Sequence, residues 1–131
     1  VKILSGKDVI LTPHEGELIS ILPNLSGSLI DKALKAAKIL NTIVVLKGAT
    51  TVIASPNNKA LVNTAGSKWL ATAGSGDVLA GIIGGLLSNK MDTFYAAAYA
   101  VWLHSEAGKH LGPGLVAEDI PKILPKILKI I

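Results

Sequence analysis

Apolar and polar positions alternate along this chain in blocks that change period, and each block predicts an element. Asp8 to Thr12 is a short apolar run closed by Pro13, which predicts a buried strand ending in a loop, because a proline disfavours helix in its predecessor. His14 to Leu18 then opens a helix that runs to about Leu22 and stops at Pro23. Asn24 to Ser28 supply helix-starting side chains, and Leu29, Ala33, Leu34, Ala37 and Leu40 recur at helical spacing up to Asn41. Thr42 to Leu46 is rich in β-branched residues and bounded by Lys47-Gly48, the pattern of a second buried strand. Thr51 to Ala54 and Ala60 to Asn63, separated by Ser-Pro-Asn-Asn-Lys, predict a β-hairpin. After a loop containing Gly and Ser, helices are predicted from Asp77 to about Ser88, from Thr93 to His110, and from Glu118 to Lys129. Pro121 is tolerable in the first turn of the last of these, whereas Pro125 argues against its continuity.

Strands alternating with helices predict an α/β layer architecture with a mainly parallel sheet. No repeat, linker or low-complexity tract divides the chain, so residues 1–131 read as one unit.

Composition narrows the class further. Half of the 131 residues are hydrophobic and 17% are charged, the reverse of a disordered chain. The greasiest stretch, Val78 to Leu87, is about ten residues long and carries three glycines, so it is too short for a membrane span. With no cysteine, disulfides, thiolate metal sites and cysteine nucleophiles are excluded together, and a cytoplasmic setting is expected. The formal charge is 13 − 9 = +4, and every cation is a lysine. Lys32, Lys35 and Lys38, like Lys122, Lys126 and Lys129, recur at helical spacing and predict solvated helix faces. Aromatics make up only 4% of the chain, which leaves no stacking platform, so nucleic acid is not expected as a partner.

Chemistry has three candidate places. In Ala71 to Gly81, Gly74 and Gly76 bracket Ser75 directly before a predicted helix, so free backbone N–H groups and the positive helix end converge on one point. Gly74, Ser75 and Gly76 therefore form a candidate anion hole, with Asp77 at the helix entrance as a candidate base for a substrate hydroxyl. A plain loop with an aspartate cap has the same spacing. The segment is neither a P-loop nor the dinucleotide fingerprint: no lysine follows, and its third glycine, Gly81, comes two positions late. The second place is Leu46 to Thr51, where Lys47, Gly48, Ala49, Thr50 and Thr51 follow the strongest strand and put a cation, N–H groups and hydroxyls at the sheet edge where α/β proteins bind ligands. The third is Thr12 to Leu18, in which His14 stands beside Glu15 and Glu17; this is not a zinc spacing, and a helix cap is the simpler reading. His104 and His110 read as structural, and Trp69 and Trp102 as packing residues, with Trp69 near enough to the glycine loop to border a pocket.

In order, Thr12–Leu18, the stretch from Val44 to Pro56, Lys68–Leu87, Val101–Gly108 and Gly114–Pro121 together resemble the ADP/ATP-dependent NAD(P)H-hydrate dehydratases, ribokinase-like proteins also found as the C-terminal domain of the bifunctional NAD(P)H-hydrate repair enzyme. The resemblance implies a Rossmann-like, ribokinase-type three-layer α/β/α sandwich. It implies repair of hydrated NADH or NADPH at the expense of ADP or ATP, with Mg2+, by phosphorylation of the C6 hydroxyl and elimination of phosphate. It further implies that His14 and Asp77 contact the hydrate, Asp77 as catalytic base, and that Lys47, Gly48, Ala49, Thr50, Thr51 and Gly76 line the nucleotide site; it names no metal-ligating residue and leaves open whether Mg2+ is held by the protein or only by the nucleotide.

Two departures stand out. Glu15 occupies the place where the family commonly has proline, which is expected to loosen the loop and add negative charge near phosphates. The family's domain is about twice as long, so the chain is expected to be its C-terminal half only, completed by a homo-oligomer or a complementing N-terminal chain. A vitamin-precursor kinase of the same fold and a non-catalytic nucleotide-binding remnant are the competing readings.

Overall fold

The computed structural model describes residues 8–131. The elements run β1 (Ile10–Leu11), α1 (Glu15–Ile21), α2 (Leu29–Leu40), β2 (Ile43–Leu46), β3 (Thr51–Ala54), β4 (Ala60–Asn63), a 3-10 turn (Lys68–Leu70), α3 (Ser75–Ser88), α4 (Thr93–Leu111) and α5 (Asp119–Leu128). Strand order in the sheet is β1-β2-β3-β4. Among the described residues only β1 and β2 pair in parallel, Ile10 opposite Ile43; β2 with β3 and β3 with β4 are antiparallel. The expected mainly parallel sheet is thus corrected to a mixed one. The connection between β2 and β3 is a four-residue loop, too short for a crossover, and the turn between β3 and β4 closes a hairpin. In that turn Asn58 takes a positive φ of 65° and the Ser55 N–H donates to the Lys59 carbonyl.

β2 is buried at every position, and this explains its unbroken apolar run. Its alternate residues serve two cores. Val44 and Leu46, with Val52 and Ala54 of β3, pack on Leu18 of α1 and on Ala33, Ala36, Ala37 and Leu40 of α2. Ile43, Val45 and Ile53 face the other way, onto Leu79 and Ile83 of α3 and onto Phe94, Ala97, Ala100 and Val101 of α4. The result is a three-layer α/β/α arrangement. A third cluster joins α5 to α4 through Leu103, Ala107, Ile120 and Ile127.

Helix ends follow local chemistry. Ser28 caps α2 in a reciprocal box with Asp31, and Asn41 ends it in the left-handed conformation. Asp92 caps α4 through the N–H groups of Phe94 and Tyr95. α5 runs through Pro125, which is exposed, so the one ladder bond it lacks faces water and the apolar stripe still packs on α4. Among the described residues no helix is long and apolar enough to cross a membrane.

The lysine faces behave as solvated surface. Lys32 pairs with Glu15 at 2.6 Å, Lys35 donates to the Ser26 carbonyl, and Lys122 pairs with Asp119 at 3.1 Å.

Candidate anion and nucleotide site

The three segments singled out in the sequence meet at one cavity of about 690 Å³. The chain after β1 stays in register with the chain after β2: His14 and Lys47 form a parallel bridge, and the Lys47 N–H donates to the Pro13 carbonyl at 2.9 Å. His14 and the Lys47–Ala49 segment therefore share one wall of the cavity, with Thr51 beside them. The opposite wall is the first turn of α3, Ser75 and Gly76, backed by Val101, His104 and Ser105 of α4.

α3 begins at Ser75, two residues earlier than its sequence pattern predicts, with Gly74 as its cap. Gly74 has φ 84°, and a Cβ there would lie 3.2 Å from the Ala117 methyl, so both conformation and space require glycine. The Ser75 N–H donates to the Thr72 carbonyl at 3.2 Å and is used up. The N–H groups of Gly74, Gly76 and Asp77 have no partner among the described residues, so of the three residues of the candidate anion hole only Ser75 has its N–H engaged.

Lys47 points at this turn. Its Nζ lies 3.1 Å from where a Gly76 Cβ would stand, so glycine is what admits the ammonium to the helix end. The lysine is half-buried, and no carboxylate of the described residues lies within 4.0 Å of it. Its charge reaches both sides of the cavity, lowering the pKa of Glu17 and of His104 as a lesser contribution in each. An uncompensated cation against the positive end of a 14-residue helix is an arrangement that favours an anion between them.

His14 is the N-cap of α1. Its Nδ1 accepts from the Glu17 N–H at 3.2 Å, and its own N–H donates to Glu17 at 2.7 Å, the bond that chiefly holds the Glu17 carboxyl below its usual range. The capping role and a place on the cavity wall coexist. Glu15 does not add charge to the cavity, because it turns to Lys32.

Not every predicted residue arrives. Gly74, Thr50 and Asp77 do not line the cavity, and Asp77 is exposed at the third position of α3. Conversely, Gly66, Ser67, Lys68 and Leu70 form a wall that the sequence did not mark; Trp69 itself turns outward, with the Lys68 ammonium over its ring at 4.6 Å. His104 is also more than structural filler: 9% exposed, it lines the cavity and holds Ser75 through Nε2. Its spacing from His110, on a helix, gave no sequence signal. His110 is exposed and bonded among the described residues only to the Glu106 carbonyl of its own helix, and Trp102 stacks on Tyr99.

The model of the NAD(P)H-hydrate dehydratase family matches residues 3–127. The chain belongs to the NAD(P)H-hydrate dehydratase family. It is 36% identical to the ADP-dependent (S)-NAD(P)H-hydrate dehydratase of Xanthomonas campestris, over 94% of this chain and 46% of that protein. It is 35% identical to the bifunctional NAD(P)H-hydrate repair enzyme of Moorella thermoacetica, over 98% of this chain and 26% of that enzyme. Among solved structures, the ADP/ATP-dependent NAD(P)H-hydrate dehydratase of Bacillus subtilis co-crystallised with ATP and Mg2+ superposes with a TM-score of 0.84 at 35% identity, covering 92% of this chain and 47% of that one. The fold is thus ribokinase-like, in keeping with a further neighbour from Enterococcus faecalis described as a ribokinase-like superfamily protein, with a TM-score of 0.78. The chain spans less than half the length of these dehydratase relatives.

Proposed function

We propose that this chain carries the nucleotide-binding part and the catalytic aspartate of an ADP- or ATP-dependent NAD(P)H-hydrate dehydratase. The observation that carries the reading is the Lys47 ammonium, without a carboxylate partner among the described residues, set against Gly76 at the start of α3 inside a cavity of about 690 Å³. Lys47 and the N–H groups of Gly76 and Asp77 would take phosphate oxygens of ADP or ATP, while Gly48, Ala49 and Thr51 line the adjoining wall. Asp77, at the positive end of α3, would accept the proton of the C6 hydroxyl of hydrated NADH or NADPH as that oxygen attacks phosphorus. AMP or ADP leaves the transferred phosphorus, and the phosphate then leaves C6 with the former hydroxyl oxygen as C5 loses a proton to solvent, restoring the ring double bond. His14, at the same end of the sheet, would contact the hydrate.

The described cavity wall contains no carboxylate, and no group of three metal-ligating side chains occurs among the described residues. These residues do not fit a protein-held Mg2+, and no step is routed through one.

Hydrated NADH incubated with the protein and ADP or ATP should regain absorbance at the nicotinamide band. Recovery that Asp77→Ala leaves indistinguishable from wild type would sink the dehydratase mechanism; a stable phosphorylated alcohol as product would instead indicate a kinase.

One observation favours a second reading alongside the first. Asp77 is exposed and outside the cavity, and none of the described residues packs on the α3 face it shares with Gly81 and Gly84: a Cβ at either glycine would meet no described atom within 4 Å. The complete site is then made with further chain, a second copy or a complementing segment, covering this face. A monomer by solution mass with full turnover would exclude it.

A further inference from the structure

Ser75 and His104 are 4% and 9% exposed, and both line the cavity. The His104 Nε2 lies 3.0 Å from the Ser75 carbonyl oxygen and 2.9 Å from the Ser75 Oγ. A carbonyl oxygen only accepts, so Nε2 must carry the proton; a bare nitrogen lone pair facing that oxygen would be repelled. Nε2–H therefore donates to the carbonyl and toward Oγ together, and Oγ is on the accepting side of its contact with His104. The Ser75 hydroxyl proton is left without an acceptor among the described residues, on a wall of the same cavity that Lys47 enters.

From this geometry we infer that His104 is a positioning residue that fixes the polarity of Ser75, making its hydroxyl a third donor, beside the Gly76 and Asp77 N–H groups, to an anionic oxygen bound next to Lys47. The same bond pins the first turn of α3 to α4, so the donors are set before the anion arrives. The inference rests on the anion site of the proposed function and adds to it the device that orients the site.

Three measurements test it. Long-range 1H–15N correlation on the wild-type chain without nucleotide should show His104 as the Nε2–H tautomer; an Nδ1–H tautomer overturns the inference and leaves the nucleotide reading intact. In calorimetric titrations with ADP, Ser75→Ala and His104→Leu should each weaken binding about tenfold, the size of a hydrogen bond to a charged group. The double variant should be no weaker than either single one, because one acts through the other, and His104→Gln, which keeps an N–H donor, should recover most of the loss. Additive losses, or affinities unchanged while the melting temperature falls, mean a purely structural contact and overturn it. Inorganic phosphate serves as the second probe. Phosphate binding that drops in Ser75→Ala while ADP fails to bind the wild type retains the inference and removes the nucleotide; no binding of either removes both.

Discussion

At the scale of single residues, the site depends on one close approach. Gly76 leaves room for the Lys47 ammonium, and its own φ is not in the left-handed region, so alanine fits its backbone. Gly76→Ala should therefore leave the melting temperature unchanged or raise it, since alanine in a helix is favoured over glycine by up to about 1 kcal/mol, while a Cβ 3.1 Å from Nζ pushes the cation off the helix end. The expected outcome is a stable protein with weakened ADP binding, read by differential scanning and calorimetry on one sample. His104 gives a pH signature. Burial holds its pKa below the ordinary 6.5; the bond to the Ser75 carbonyl opposes that shift and the Lys47 charge adds to it. The unfolded chain then takes the proton more readily than the folded one. The contribution is intact above pH 6.5 and is lost as pH falls from 6.5 through the lower folded value. Melting temperatures between about pH 7.5 and 5 should fall less steeply in His104→Gln than in wild type.

Between elements, the least expected contact is that of the 3-10 turn on α4. Gly108 lies in the last part of that helix, and a Cβ there would stand 2.6 Å from the Leu70 Cγ and 2.9 Å from the Ser67 Cβ. The turn carrying Ser67, Lys68 and Leu70 rests directly on the helix backbone, and the Asn63 amide, donating to the buried Ser105 hydroxyl at 2.6 Å, fixes the strand that leads into it. Gly108→Ala should cost about 1–3 kcal/mol in urea unfolding by overpacking, and it should also weaken ADP binding, because the displaced turn is a cavity wall. A loss of stability with unchanged affinity would show that the turn does not shape the site.

Over the whole molecule, one four-stranded sheet serves two cores, with Val52 and Ile53 of β3 pointing to opposite layers. The layers should unfold together. Ile53→Ala, at a side chain 2% exposed, should lower stability by about 2–5 kcal/mol, and far-UV circular dichroism and the fluorescence of Trp69 and Trp102 should still trace one transition. Separate midpoints would show that α4 and its turn form a unit of their own. Much of this architecture was legible in the sequence because local pattern and burial agree: the Ile43–Leu46 run, the Ser-Pro-Asn-Asn-Lys turn and the Ser28 cap each specify their element within a few residues. Strand direction was less legible. Parallel pairing was inferred from the alternation of strands and helices, whereas the short loop after β2 and the hairpin after β3 make two of the three pairings antiparallel.

The sequence by itself determined the elements, the α/β class, the family resemblance and the three segments of the site, since each is encoded in neighbouring residues. Tertiary structure alone decided that His14, Lys47 and Ser75-Gly76 share one cavity, that His104 reaches Ser75 across 29 positions of chain, and that Asp77 stands outside the cavity on a helix face that no described residue covers. Distances between elements depend on how layers stack around a shared sheet. No spacing along the chain encodes which end of α3 meets which face of α4.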